Sequence, residues 1–148
     1  MENKHVTTKS AEETRALGKR LAGEILPGTL LCLVGDLGAG KTTLVQGLLE
    51  GLGAERPYVS PTFVIMKQYD LAAGLLSGRI QRVYHADAYR VGEKDFTEIG
   101  FAEWCADQDG LVILEWPERI AAILPEKRID ITIISLSETE REIKIINK

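Results

Sequence analysis

Nine consecutive residues, GDLGAGKTT from Gly35 to Thr43, combine three glycines, a lysine and two threonine hydroxyls. Glycines permit turns that a Cβ forbids, so successive backbone amides can point inward and form a nest for phosphate oxygens at the start of a helix. Gly35, Gly40, Lys41 and Thr42 fit the spacing G-x-x-x-x-G-K-[ST], the Walker A pattern. The chemistry this predicts is polyphosphate binding. Lys41 would reach the β and γ oxygens, the Thr42 hydroxyl would complete a Mg2+ shell, and Thr43 would add a contact near the α-phosphate. The plain alternative is a glycine-rich strand-to-helix turn with a chance lysine. The flanks argue against it, because the apolar run TLLCLV precedes the stretch and helical spacing follows it.

A phosphate-bound magnesium ion also calls for an acid at the end of a neighbouring buried strand. Glu115 closes LVILE and Asp87 lies in HADAYR, just after RVYH. Glu115 is assigned to the metal, directly or through water, and Asp87 to orienting the attacking water or supporting the metal shell; the bland reading of each is a solvated or ion-paired acid. If residues 83–89 stay extended, His85, Asp87 and Tyr89 share a face. Thr62, in RPYVSPTF, either senses the γ-phosphate from a mobile loop or merely begins a strand with Pro61. Trp104 reads as core; Trp116 should point away from Glu115 and either packs in the core, the favoured reading, or lies beneath the site or against a partner. Arg90, Arg119 and Arg141 are possible phosphate or base contacts, although a surface ion pair is the better reading of Arg119. The base defaults to adenine, since the only Asn-Lys pairs lie at the termini.

These residues need a scaffold. The chain has 148 residues, 45% of them hydrophobic, a net charge of −4 and two cysteines. One domain, residues 1–148, is expected. The acidic balance disfavours autonomous RNA binding, and Cys32 and Cys105 read as buried thiols in a reducing compartment rather than as a disulfide framework. A polar N-terminus and the lack of any apolar stretch of spanning length predict a cytoplasmic protein with no membrane partner.

Ser10 and Glu13 form a capping box opening a helix with Leu17, Leu21 and Ile25 on one face, ended by Pro27-Gly28. Thr29–Val34 reads as a buried strand and Leu44–Leu52 as a helix capped near Gly53. Phe63–Tyr69 and Arg79–His85 read as strands joined by LAAGLLSG as a hairpin connection. VGEKDFTEIGFAEWC reads as a loop and short helix, LVILEW as a second buried strand, and Pro117 as the first turn of a helix. The alternating isoleucines at 129, 131, 133, 143 and 145 make a final antiparallel hairpin. The expected fold class is α/β: a P-loop three-layer sandwich with a mixed, mostly parallel central sheet, helices on both faces and antiparallel hairpins.

GDLGAGKTT, SPTF, HADAYR and ILEWPER, in that order within so short a chain, resemble the bacterial tRNA threonylcarbamoyladenosine biosynthesis ATPases, the TsaE (YjeE) family. The likeness runs from the helix around Thr14 and Gly18 to the last hairpin. It implies an ATPase that works with two partner proteins, a sugar-kinase-like threonylcarbamoyl transferase subunit and its paralogue, in modifying the tRNA adenosine next to the anticodon. tRNA would be met only through that complex. It further implies nucleotide held by Gly38, Ala39, Gly40, Lys41, Thr42 and Thr43, Mg2+ held by Thr42 and Glu115, and Arg141 with the Ala11–Thr14 region near the base. Catalysis would rest on Lys41, Asp87, Glu115 and Thr62, and turnover is expected to be slow without partners. A small-molecule kinase, or a nucleotide-dependent binding module with incidental hydrolysis, would use the same P-loop.

Overall fold

Strand TLLCLV, β2 (Thr29–Val34), shows how the fold is organised: its residues are buried on both sides and alternate between two separate cores. Leu31 and Leu33 face a core built with helices α1 (Ala11–Ala22) and α2 (Lys41–Gly51), through residues such as Leu17, Leu21, Leu44 and Leu48. Leu30 and Cys32 face another, formed with Phe96 of α3 (Glu93–Ile99) and Phe101 and Trp104 of α4 (Phe101–Ala106). The same alternation recurs in β5 (Gly110–Glu115), where Leu111 and Ile113 join the first core and Val112 and Leu114 the second. A strand apolar on both faces requires helices on both faces, so the result is a three-layer sandwich.

The computed structural model describes residues 1–72 and 80–148. The sheet also contains β1 (Lys4–Thr8), β3 (Met66–Asp70), β4 (Arg82–Asp87), β6 (Ile129–Ser135) and β7 (Arg141–Asn147). Its order is β1-β7-β6-β2-β5-β4-β3. β6, β2, β5 and β4 are parallel, while β3 and the β6–β7–β1 meander add antiparallel pairs. The mixed P-loop-type sandwich is therefore as expected. Among the described residues no helix is long and apolar enough to cross a membrane.

Element ends differ from expectation where local chemistry overrides periodicity. Ser10 does cap α1, accepting from the Glu13 amide at 3.1 Å, while Glu13 reaches back to the Lys9 amide at 2.6 Å. The helix stops at Ala22, before Pro27, and Ile25 is buried from the turn that follows. Gly53 caps α2 as expected, with φ +81 at Gly28 and +80 at Gly53 marking the two glycine stops around the β2–α2 unit. The amides of Gly53 and Ala54 close back on the carbonyls of Glu50 and Leu49. β3 begins at Met66 rather than Phe63, because residues 61–64 form a turn. β4 spans Arg82–Asp87 rather than Arg79–His85, and of the expected Leu71–Gly78 connection, residues 73–78 lie outside those described. Gly100, at φ +107, splits the expected single helix into α3 and α4. The polar N-terminus forms β1, which lies beside β7 in a register pairing Val6 with Ile143. Pro117 does open a helical segment, of 3-10 type, through Ile123.

The position of α2 is set by close approach to α1. A Cβ on Gly47 would lie 2.1 Å from the Arg15 carbonyl oxygen, and one on Gly18 would lie 2.4 Å from that of Leu44. Both obstacles are backbone, so neither can swing aside. Gly47→Ala is expected to destabilise the fold by about 2 kcal/mol or more. Urea unfolding should show a lower midpoint with an unchanged slope; an unchanged midpoint would refute this account of the helix pair.

Candidate nucleotide and metal site

The parallel strands β2, β5 and β4 end at one edge of the sheet, where open α/β sheets form their binding crevice. β2 leads through Gly35 into the glycine-rich turn, β5 ends at Glu115 and β4 at Asp87, with Asp87 and Glu115 directly paired in register. Glu115 follows the alternation of Leu111 and Ile113, and His85 and Asp87 that of Val83, so all three side chains lie on the face covered by α2. His85, Asp87 and Glu115 are 4%, 5% and 7% exposed.

Gly38 and Gly40 take positive φ, at +78 and +108. Gly40 caps α2 without any side-chain bond, and the first amide bond along the helix is from Leu44 to the Gly40 carbonyl at 3.0 Å. The amides of Lys41, Thr42 and Thr43 precede that bond and stand at the positive end of the helix. Gly35 serves a second purpose: a Cβ there would meet the Ile133 carbonyl at 2.7 Å, so the turn passes close over β6. Ala39 is buried, and its amide bonds to the Asp36 carbonyl at 3.1 Å.

Lys41 lies within this turn, its Nζ donating to the Gly35 carbonyl at 2.5 Å and sitting 3.8 Å from the centre of the Trp116 ring. Burial pulls its ammonium below the usual lysine range, while the charges of Glu115, Glu118, Asp87 and Asp36 oppose that shift. Trp116 thus departs from expectation. It takes φ +59, which breaks strand alternation and returns the indole over Lys41; it also packs against the second core. Tyr89 packs against Trp116 with the rings tilted by 56° and their centres 4.8 Å apart, and Arg119 covers Tyr89 at 4.9 Å. Arg119 is therefore engaged with an aromatic ring, and among the described residues it has no ion pair. Tyr89 does not continue the strand; it lies in a turn, its amide donating to Asp87 Oδ1 at 2.8 Å.

The loop after α2 reaches the same carboxylates. Thr62 Oγ1 donates to Asp87 Oδ2 at 3.2 Å and lies 2.9 Å from Ser60 Oγ. Phe63 beside it is 80% exposed under the Arg90 guanidinium. Thr42 and Glu115 line a common cavity of about 20 Å³, bordered by Gln46, Ser60 and His85. That volume is near the size of one water. The Thr42 hydroxyl and the Glu115 carboxylate, both on this small cavity beside the first amides of α2, fit a magnesium ion held with phosphate and water. Arg141, at the start of β7, spans the turn from outside, with NH2 3.5 Å from the Gly38 carbonyl and Nε beside Gly40. Thr14 is buried against Thr8, their hydroxyls 2.7 Å apart, which ties α1 to β1. Trp104 is core, stacked on Tyr84.

Two contacts at the candidate site escaped sequence reasoning. The Lys41–Trp116 contact depends on a positive φ that a tryptophan does not announce. The His85 Nε2 to Glu115 Oε2 contact, at 2.7 Å, joins residues 30 apart on two strands, a pairing that the alternation within HADAYR does not reveal.

Comparison with known proteins assigns this architecture. Residues 8–143 match the family model for the threonylcarbamoyl adenosine biosynthesis protein TsaE. The tRNA threonylcarbamoyladenosine biosynthesis protein TsaE of Bacillus subtilis is 42% identical over 92% of this chain and 80% of its own length. The protein of the same name from Treponema pallidum is 36% identical, covering 93% of this chain and 96% of its own. A crystal structure of Bacillus subtilis YdiB superposes with a TM-score of 0.80 at 35% identity, over 99% of this chain and 86% of that one. The chain belongs to the TsaE family.

Proposed function

We propose that this protein hydrolyses ATP with Mg2+ and that hydrolysis drives or resets a multiprotein complex that installs threonylcarbamoyl on the tRNA adenosine next to the anticodon. The observation that carries the reading is a buried lysine at an uncapped helix N-terminus, with Glu115 and Asp87 closing the adjacent strands on the same face. Membership in the TsaE family supplies the biological setting, since relatives carry threonylcarbamoyladenosine biosynthesis in their names. The partners in this reading are a sugar-kinase-like transferase subunit and its paralogue, with tRNA approached only through them. Cytoplasmic residence follows from that setting.

The triphosphate tail lies along the turn from Gly38 to Thr43, with the α2 amides donating to its oxygens. Lys41 leaves the Gly35 carbonyl for the β and γ oxygens, where its charge offsets what accumulates as the terminal bond breaks. Thr42 and Glu115 would hold a magnesium ion, which when bound would supply positive charge to offset that of the phosphates. Asp87, steadied by the Tyr89 amide, accepts a hydrogen bond from the attacking water in place of the one from Thr62. Thr62 is thereby released to report the γ-phosphate. Arg141 flanks the outer side of the turn toward the base.

Steady-state ATPase with and without the partner pair tests the coupling; turnover should be slow alone and rise when the pair is added, and identical rates would reject it. Lys41→Ala should lower turnover by on the order of 10²-fold or abolish nucleotide binding, while thermal unfolding stays near that of the unaltered protein. Calorimetric titration distinguishes the two effects, and an unimpaired variant would remove Lys41 from the site. Asp87→Asn should reduce turnover by on the order of 10²-fold while ATP affinity changes little. A proportional loss of affinity would place Asp87 among the metal ligands instead.

A further inference from the structure

His85 stands apart from the polar residues discussed so far. It is 4% exposed in the middle of a sheet strand, and only one of its two ring nitrogens has a partner. Its Nε2 lies 2.7 Å from Glu115 Oε2, a diagonal contact, since the register partner of His85 is Ile113. Its Nδ1 is buried with no hydrogen-bond partner among the described residues. Phenylalanine or leucine would fill such a place without leaving a ring nitrogen unsatisfied. Retaining an unsatisfied nitrogen is therefore unfavourable for the fold, and the offsetting gain has to come through Nε2.

An ionised carboxylate only accepts hydrogen bonds, so the contact is one in which Nε2 donates to Glu115 Oε2. The bond occupies one oxygen of Glu115 and fixes the rotation of its carboxyl group, leaving Oε1 to meet whatever lies above. Glu115 and Thr42 border the same cavity. A metal ligand that is itself hydrogen-bonded is oriented before the ion arrives, and loss of such a supporting bond typically weakens metal affinity by about 10–100-fold.

We propose that His85 is a positioning residue that holds Glu115 for the magnesium ion and thereby sets how strongly Mg2+ promotes ATP binding. The inference rests on the ATPase reading above. Its test measures ATP affinity of the full chain by calorimetry in EDTA and again with saturating Mg2+, the ratio being the magnesium enhancement. His85→Phe should reduce that enhancement by about tenfold while affinity in EDTA stays within about twofold, since Lys41 and the helix amides are untouched. His85→Gln, whose amide can donate from a similar point, should restore most of it. In a Glu115→Gln background, His85→Phe should change the enhancement no further, because two residues acting through one contact are non-additive.

An unchanged enhancement in His85→Phe would overturn the inference and leave the ATPase reading intact. So would affinity falling equally in EDTA and Mg2+, or failure of His85→Gln to restore the difference, each of which would mark a packing role. If the unaltered chain bound no ATP under either condition, the ATPase reading would fail first and take the inference with it.

Discussion

An ammonium group taken out of water must be compensated at close range, and Lys41 sets that demand at the centre of this molecule. Its compensation comes from three directions: the Gly35 carbonyl, the face of Trp116, and a rim of acids that includes Glu115 and Asp87. Each depends on a different element. The carbonyl is presented because β2 ends in a glycine close over β6, the indole because the chain turns sharply after β5, and the acids because β4 and β5 end in register. Moving any one strand by a residue would place its polar group on the opposite face of the sheet. The charge of one side chain therefore constrains the ends of three strands.

The same lysine opens α2, so the helix must be held as firmly as the strands. That is the role of the glycines at 18 and 47, which let α1 and α2 approach until backbone meets backbone. Close approach also brings Arg15 and Lys19 of α1 onto Glu50 of α2, a largely exposed cluster that adds little to stability but keeps a shared surface polar. The first core, between this helix pair and the sheet, is thus the mechanical base of the turn. The second core, rich in aromatic contacts among Phe96, Phe101 and Trp104, supports β5 from behind and reaches the site through Trp116, Ile65 and Ala88.

The parts of this arrangement that sequence makes legible are those governed by local rules. β2, the glycine-rich turn and α2 follow from apolar continuity, glycine spacing and helical periodicity within about two dozen residues. Glu115 and Asp87 are legible for the same reason, as acids at the ends of apolar runs. β1 was not, because its register partner β7 lies at the other end of the chain and its own residues are polar on one face. The Thr62–Asp87 contact spans 25 residues and His85–Glu115 spans 30, so neither is visible to any periodicity. Phe63 misled for a different reason: an apolar aromatic residue before a strand suggests continuation, yet a turn leaves it in solvent.

Among the described residues, the two that adopt positive φ without being glycine are Ile65 and Trp116, at +68 and +59. Each is joined through the main chain to one of the two acidic residues. The Ile65 carbonyl accepts the Asp87 amide at 2.9 Å, and Trp116 directly follows Glu115, whose carbonyl accepts the Ala88 amide at 3.0 Å. A β-branched residue in the left-handed region is unfavourable, and such strain persists only where surrounding contacts overdetermine it. At Ile65 those contacts include the Pro61 carbonyl, which accepts its amide at 2.7 Å, and the Thr62 bond to Asp87. If a ligand drew Thr62 away, one of the restraints on Ile65 would be lost at the same moment. The loop that carries exposed Phe63 and Val64 is thus tied to Asp87 by the chain itself, and what happens at Asp87 bears directly on the surface those two side chains present.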